Sequence, residues 1–182
     1  MKLLAVALAT TALALSAPAG STTASTIETP EAKAAASELA DEAYDDFVDR
    51  FDATEIAPNK YRWNAEGASG PSRVVISLDR QMAFVYRGDT LVGAASVSTA
   101  RDGMITPKGI FPIWLKKKMH YSRKYDNAPM PYMQMIDQYG IALHAGHNPG
   151  YPASHGCIRL PKSFAAKLFA MTDIGTTVHI GA

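Results

Sequence analysis

Between residues 29 and 51 the apolar positions recur every fourth residue. Leu39, Ala43, Phe47 and Phe51 fall on one stripe, and Asp and Glu fill most of the remaining surface. Thr29 as N-cap, Pro30 at the first helical position and Glu31 in the first turn predict where this helix opens, and it must end before Pro58. A single apolar stripe on an acidic helix predicts a docking face, for the rest of the chain or for a partner. From Arg73 the period shortens. Residues 73–78, 81–87, 91–98 and 110–115 are rich in β-branched and aromatic side chains and are separated by Asp, Gly and Pro, which predicts four strands. Residues 87–90, Arg-Gly-Asp-Thr, form a hairpin-turn signal. Helical spacing returns over 161–171, and 176–180 reads as a closing strand. The predicted fold is therefore mainly β, a sandwich or barrel with one late helix, preceded by the N-terminal helix. No internal repeat is present.

The start of the chain adds a destination. Lys2, the apolar run over residues 3–15 and Ala17-Pro18-Ala19 match a cleavable secretion signal over residues 1–19. Thirteen Ala-rich apolar residues are too few for a hydrocarbon core of about 30 Å, so no stable membrane insertion is expected. Residues 20–30 are rich in Ser, Thr and Ala and predict a flexible leader; 31–72 form an acidic helix and linker, and 73–182 one folded domain. Residues 20–72 hold 4 Lys+Arg and 11 Asp+Glu (−7), and residues 73–182 hold 13 and 6 (+7). A basic domain suits an anionic extracellular polymer. An exported chain without a recognition motif is not expected to bind nucleic acid.

Export makes the cysteine count informative. Cys157 is the one cysteine in the chain and has no disulfide partner within it. Four of the five histidines lie in residues 120–157 with it, three of them in the run His144-Ala-Gly-His147-Asn-Pro-Gly-Tyr-Pro-Ala-Ser154-His155-Gly156-Cys157-Ile-Arg159. A thiol attacks as thiolate, and a nearby imidazole can take its proton. His144, after the apolar pair Ile141 and Leu143, is the favoured base from an adjacent strand; His147 is a second candidate in a Pro/Gly loop. His155 shares a face with Cys157 if that segment is a strand. No Asp or Glu lies between Asp137 and Asp173, so a backbone carbonyl is the expected partner of the base's second nitrogen. The amides of Gly156 and Cys157 are the expected oxyanion donors.

The run Ser154-His155-Gly156-Cys157-Ile158-Arg159, with His144 upstream and Thr106-Pro107-Lys108-Gly109 earlier, resembles the active-site signature of the L,D-transpeptidase catalytic (YkuD) domain, over about residues 73–181. The resemblance implies a peptidoglycan L,D-transpeptidase with a β-sandwich fold and a helix against it. Cys157 would attack the carbonyl joining meso-diaminopimelate to a terminal D-alanine in a tetrapeptide stem, release D-alanine, and pass its acyl group from a thioester to an acceptor amine. It further implies His144 as general acid/base, His155, Gly156 and Ser154 around the oxyanion site, Arg159 on a substrate carboxylate, no cofactor or metal, and action in the periplasm or at the cell wall. Partners are peptidoglycan stem peptides, with an outer-membrane lipoprotein, a free D-amino acid or water as other acceptors. Tyr132, in 130–135, is a candidate substrate contact on another cleft wall, and Lys116-Lys117-Lys118 a solvated strand end able to attract carboxylates.

Two readings of another class remain. His144, His147, His155 and Cys157 are all zinc-ligand types. A wall-binding module that kept the fold without the chemistry would carry the same pattern.

Overall fold

The computed structural model describes residues 25–182. The predicted secretion signal lies outside the described residues. Ten strands and two helices follow in the order α1 (Pro30–Phe51), β1 (Tyr61–Trp63), β2 (Ser72–Ser77), β3 (Met82–Arg87), β4 (Thr90–Ser96), β5 (Gly109–Pro112), β6 (Leu115–Ser122), β7 (Ala128–Met135), β8 (Ala142–Ala145), β9 (Ile158–Leu160), α2 (Lys162–Met171) and β10 (Thr177–Gly181). The mainly β sandwich is as expected, with β1 and β6 to β9 as additional strands. The strands form a six-stranded sheet, β1-β4-β3-β2-β10-β5, and a four-stranded sheet, β6-β7-β8-β9.

The six-stranded sheet is covered on both faces. Val74, Ile76, Ala83 and Val85 point into the central core, shared with Leu143, Ile158 and Leu160 of the second sheet and with Phe164 and Leu168 of α2. The intervening Val75, Phe84 and Tyr86 point the other way, onto Ala40, Ala43 and Phe47 of α1. Alternate residues thus meet two apolar layers, which is why these strands read as nearly continuous apolar runs. The stripe on α1 docks on this domain. Its start is as predicted: Thr29 Oγ1 accepts the Ala32 amide at 3.2 Å, and Asp52, left-handed at φ 47°, ends it.

The leader is not wholly flexible. Ile27 pairs with Ile110 through bonds of 2.8 and 2.9 Å, adding one residue to the edge of the large sheet at β5. Gly109 permits that approach, since a Cβ there would lie 2.4 Å from the Ile27 carbonyl oxygen. Lys116 is likewise not a solvated strand end. Its ammonium donates to the Phe169 carbonyl at 2.8 Å and to the Thr172 carbonyl, closing the C-terminus of α2, where the helix dipole favours a cation. Lys117 and Lys118 are exposed as expected.

Candidate active site

β8 and β9 are parallel neighbours, with Leu143 opposite Ile158, His144 opposite Arg159 and Ala145 opposite Leu160. Leu143, Ala145, Ile158 and Leu160 belong to the central core. The pleat therefore sends His144 and Arg159 to the opposite face, where they line a cavity of about 310 Å³ together with Cys157, His155, Ser154 and Gly140. Cys157 packs beside Met130, Met133 and Ala142, which floor this side of the small sheet.

His144 is buried, at 7% exposure. Its Nδ1 lies 2.9 Å from the Ala145 carbonyl oxygen. A carbonyl only accepts, so Nδ1 carries the proton and Nε2 keeps its lone pair. The backbone carbonyl expected as orienting partner is thus Ala145. Burial, partly offset by that bond and reinforced by the nearby Arg159 cation, pushes the His144 pKa down to about 4. Burial also pushes the Cys157 thiol up, with the Asp137 carboxylate adding to the rise and the Ala142 amide and Arg159 opposing it. The thiol hydrogen points to the Gly140 carbonyl, 3.6 Å from sulfur. Near neutral pH the thiol is protonated and the imidazole that lines the same cavity is neutral.

The segment before Cys157 is a bend, not a strand, so His155 and Cys157 are not paired on a strand face. Ser154 Oγ donates to the Cys157 carbonyl at 2.6 Å and accepts the Gly156 amide at 3.0 Å. That second bond corrects one expectation: the Gly156 amide is occupied and is not an oxyanion donor. Thr106 holds the other side, donating to the Gly156 carbonyl at 2.8 Å while accepting the Ala100 amide at 3.0 Å. Gly156 has φ 129°, and a Cβ would meet Ile141 Cδ1 at 2.5 Å and the Ile105 carbonyl oxygen at 2.8 Å.

His155 stacks on Tyr125 at a centroid distance of 4.2 Å, and its Nε2 accepts from Arg101 Nη2 at 2.9 Å. Partial burial and then the Arg101, Arg159 and Lys124 cations lower its pKa. Tyr125 sits in the β6–β7 turn, which reaches over the cavity. A smaller recess of about 170 Å³, lined by His120, Arg123, Lys124 and Tyr139, adjoins it and shares Ser122, Tyr125, Met130 and Gly140. Among the described residues the ion pair within 4.0 Å is Arg80–Asp41, so Arg101, Arg123, Lys124 and Arg159 keep uncompensated charge around the mouth.

His147 is exposed at the cavity rim, while Asn148 next to it is buried and bonded to Ser96 Oγ at 3.1 Å. Tyr132 corrects a second expectation. Its ring packs on Phe169 at 5.9 Å and joins the central core, and it does not line the cavity. Among the described residues no group of three His, Cys, Asp or Glu side chains is placed to hold a metal ion.

Sequence reasoning missed Arg101, Tyr125 and Asp137. Asp137 Oδ1 accepts the Tyr139 amide at 2.9 Å and the Ile141 amide at 2.8 Å. This folds the loop whose Gly140 carbonyl meets the thiol. An Asp followed within four residues by Gly was the available signal.

The sequence matches the model of the L,D-transpeptidase catalytic domain over residues 71–180. Among solved structures, an L,D-transpeptidase from Stackebrandtia nassauensis is 30% identical with a TM-score of 0.56, the match covering 62% of this chain and 56% of that one. One from Xylanimonas cellulosilytica is 26% identical with a TM-score of 0.56, covering 63% and 62%. One from Mycobacterium smegmatis shares the fold at 19% identity and a TM-score of 0.56, covering 61% and 58%. The match thus spans less than two thirds of each of these chains. No curated protein matches the sequence.

Proposed function

The chain belongs to the L,D-transpeptidase catalytic domain family, and on that premise we propose that it is an exported cysteine acyltransferase acting on tetrapeptide stems of peptidoglycan. The observation that carries this reading is that Cys157 and His144 line one cavity on one face of the small sheet, with His144 Nδ1 tied to Ala145 and Nε2 left to accept a proton.

The Cys157 sulfur attacks the carbonyl between meso-diaminopimelate and the terminal D-alanine as its proton passes to His144 Nε2. Carbonyl π electrons move to oxygen, to which the Cys157 amide donates. Collapse of this intermediate breaks the C–N bond, and His144 returns its proton to the departing D-alanine amine, leaving a thioester on Cys157. An acceptor amine then enters, loses a proton to His144 and attacks the thioester. The new amide forms and the thiol is restored. Because the His144 pKa is near 4, its imidazole is neutral and able to accept throughout the neutral range, and the imidazolium formed during attack is a strong acid toward the leaving amine. Arg159 stabilises the thiolate as it forms. It and Arg101 also give the stem's carboxylates a cationic mouth.

Incubation with tetrapeptide muropeptides, read by intact-protein mass spectrometry, tests the proposal. The expected result is an acyl adduct on Cys157 with stoichiometric release of D-alanine. No adduct and no D-alanine under conditions that acylate another L,D-transpeptidase would overturn it.

A further inference from the structure

The loop at 137–140 has a second side. While Gly140 offers its carbonyl to Cys157, Asp137, Gln138 and Tyr139 form one wall of a separate groove of about 510 Å³, whose other wall includes Thr26, Glu28 and Trp114. Two large aromatic side chains stand open here, Trp114 at 46% and Tyr139 at 78% exposure. Asp137 ties both residues down: the Trp114 indole Nε1 donates to its carbonyl at 2.9 Å, which holds that ring, and the Tyr139 backbone amide donates to its carboxylate at 2.9 Å, which holds the backbone beneath the tyrosine ring. The bonded Trp114 ring has little conformational freedom left to lose on binding.

The charge of the groove differs from that of the catalytic cavity, although Tyr139 stands between the groove and the basic recess beside that cavity. Glu28 and Asp137 line it, and no Lys, Arg or His does. The cavity, by contrast, is ringed by Arg101, Arg123, Lys124 and Arg159. A carboxylate-bearing stem peptide is drawn to the cavity and repelled from the groove. The groove instead suits an uncharged ring with apolar C–H faces for Trp114 and Tyr139, and hydroxyl or acetamido groups for Glu28, Gln138 and Thr26.

We propose that this groove binds the N-acetylated glycan from which the stem peptide hangs. The 137–140 loop would then hold sugar on one side and present the stem's scissile carbonyl to Cys157 on the other. The inference rests on the proposed function for its substrate, but its test separates the two. Calorimetry on the full chain with chitotetraose, an N-acetylglucosamine oligomer without stem peptide, should show binding to wild type and to Cys157→Ser alike. Tyr139→Ala, a surface change, and Trp114→Phe should each weaken that binding, with Tyr139→Ala costing about tenfold, and maltotetraose should bind at least about tenfold more weakly. With Gln138→Ala, whose side chain lines the groove and neither the cavity nor the recess beside it, KM for a disaccharide-tetrapeptide should rise several-fold, while kcat and the KM for a sugar-free tetrapeptide stay unchanged. Chitotetraose that fails to bind wild type, or binds Tyr139→Ala and Trp114→Phe as tightly as wild type, would sink the groove. If Cys157 is still acylated by sugar-free stems in that case, only the glycan inference falls. Groove binding without any acylation would remove the catalytic reading and leave the glycan site standing.

Discussion

In the large sheet, Val74 and Ile76 face the central core and Val75 between them faces α1; in the small sheet, Leu143 and Ile158 face that same core while His144 and Arg159 face a cavity. The large sheet spends both faces on burial. The small sheet keeps one for a polar cavity, so His144 and Arg159 sit on strands whose other face is locked into the core. Stability and reactivity are thereby assigned to different surfaces, and substitutions on each should act differently.

The sharpest way to break this division is Cys157→Ser. It should cut D-alanine release at least about 10³-fold while leaving the urea midpoint near wild type. Loss of folding on this substitution would show that the cavity face also carries stability.

On the other sheet, Phe47→Ala empties a fully buried site between α1 and Phe84. It should cost about 3–5 kcal/mol in urea unfolding, with turnover per folded molecule unchanged. A large drop in turnover below the unfolding transition would couple α1 to the catalytic face and blur the comparison.

Acid probes the one buried imidazole on the cavity face. Unfolded, His144 binds a proton near the ordinary value of 6.5, and folded only near 4. Between these values the unfolded chain holds more protons. The stability present above pH 6.5 is therefore lost as pH falls toward 4, by up to about 3 kcal/mol from this residue. Denaturant unfolding at pH 7 and pH 4.5 should show part of that loss, and His144→Gln should flatten it. Acylation rates in wild type should not fall near pH 6.5, as they would for an ordinary histidine.

The smallest effect belongs to the clamp on the bend before Cys157. Thr106→Val keeps the volume but removes bonds to the Gly156 carbonyl and the Ala100 amide. A cost of about 1–3 kcal/mol in stability is expected, together with a fall in kcat larger than any change in KM. Unchanged kcat would mean that the Ser154 bonds alone set the bend.

The same contrast explains what could be read in advance. β2, β3 and β4 announced themselves because both faces are apolar. The small sheet did not: β6 carries three lysines and β7 two prolines, and β8 and β9 are four and three residues long. A strand with one cleft-facing side and irregular pairing has too weak a period to see. Cys157 and His144 were legible from the density of reactive types in one short run. The occupied Gly156 amide was not, because Ser154 can serve a turn or an active site equally well from sequence. Tyr132 was misassigned because Met and Tyr suit a core and a cleft wall alike, and its place against Phe169 follows from where α2 packs.

What the residues determined alone was local: the α1 cap, the two-sided strands, and the crowding of thiol and imidazole into one segment. What only the tertiary structure decided was pairing over distance. Arg101 reaches His155 across 54 positions and Thr106 reaches Gly156 across 50. The Asp137 turn sets Gly140 against the thiol on one side and Tyr139 in the groove beside Trp114 on the other. Such contacts depend on where the core places separate loops, and no periodicity within a loop records that.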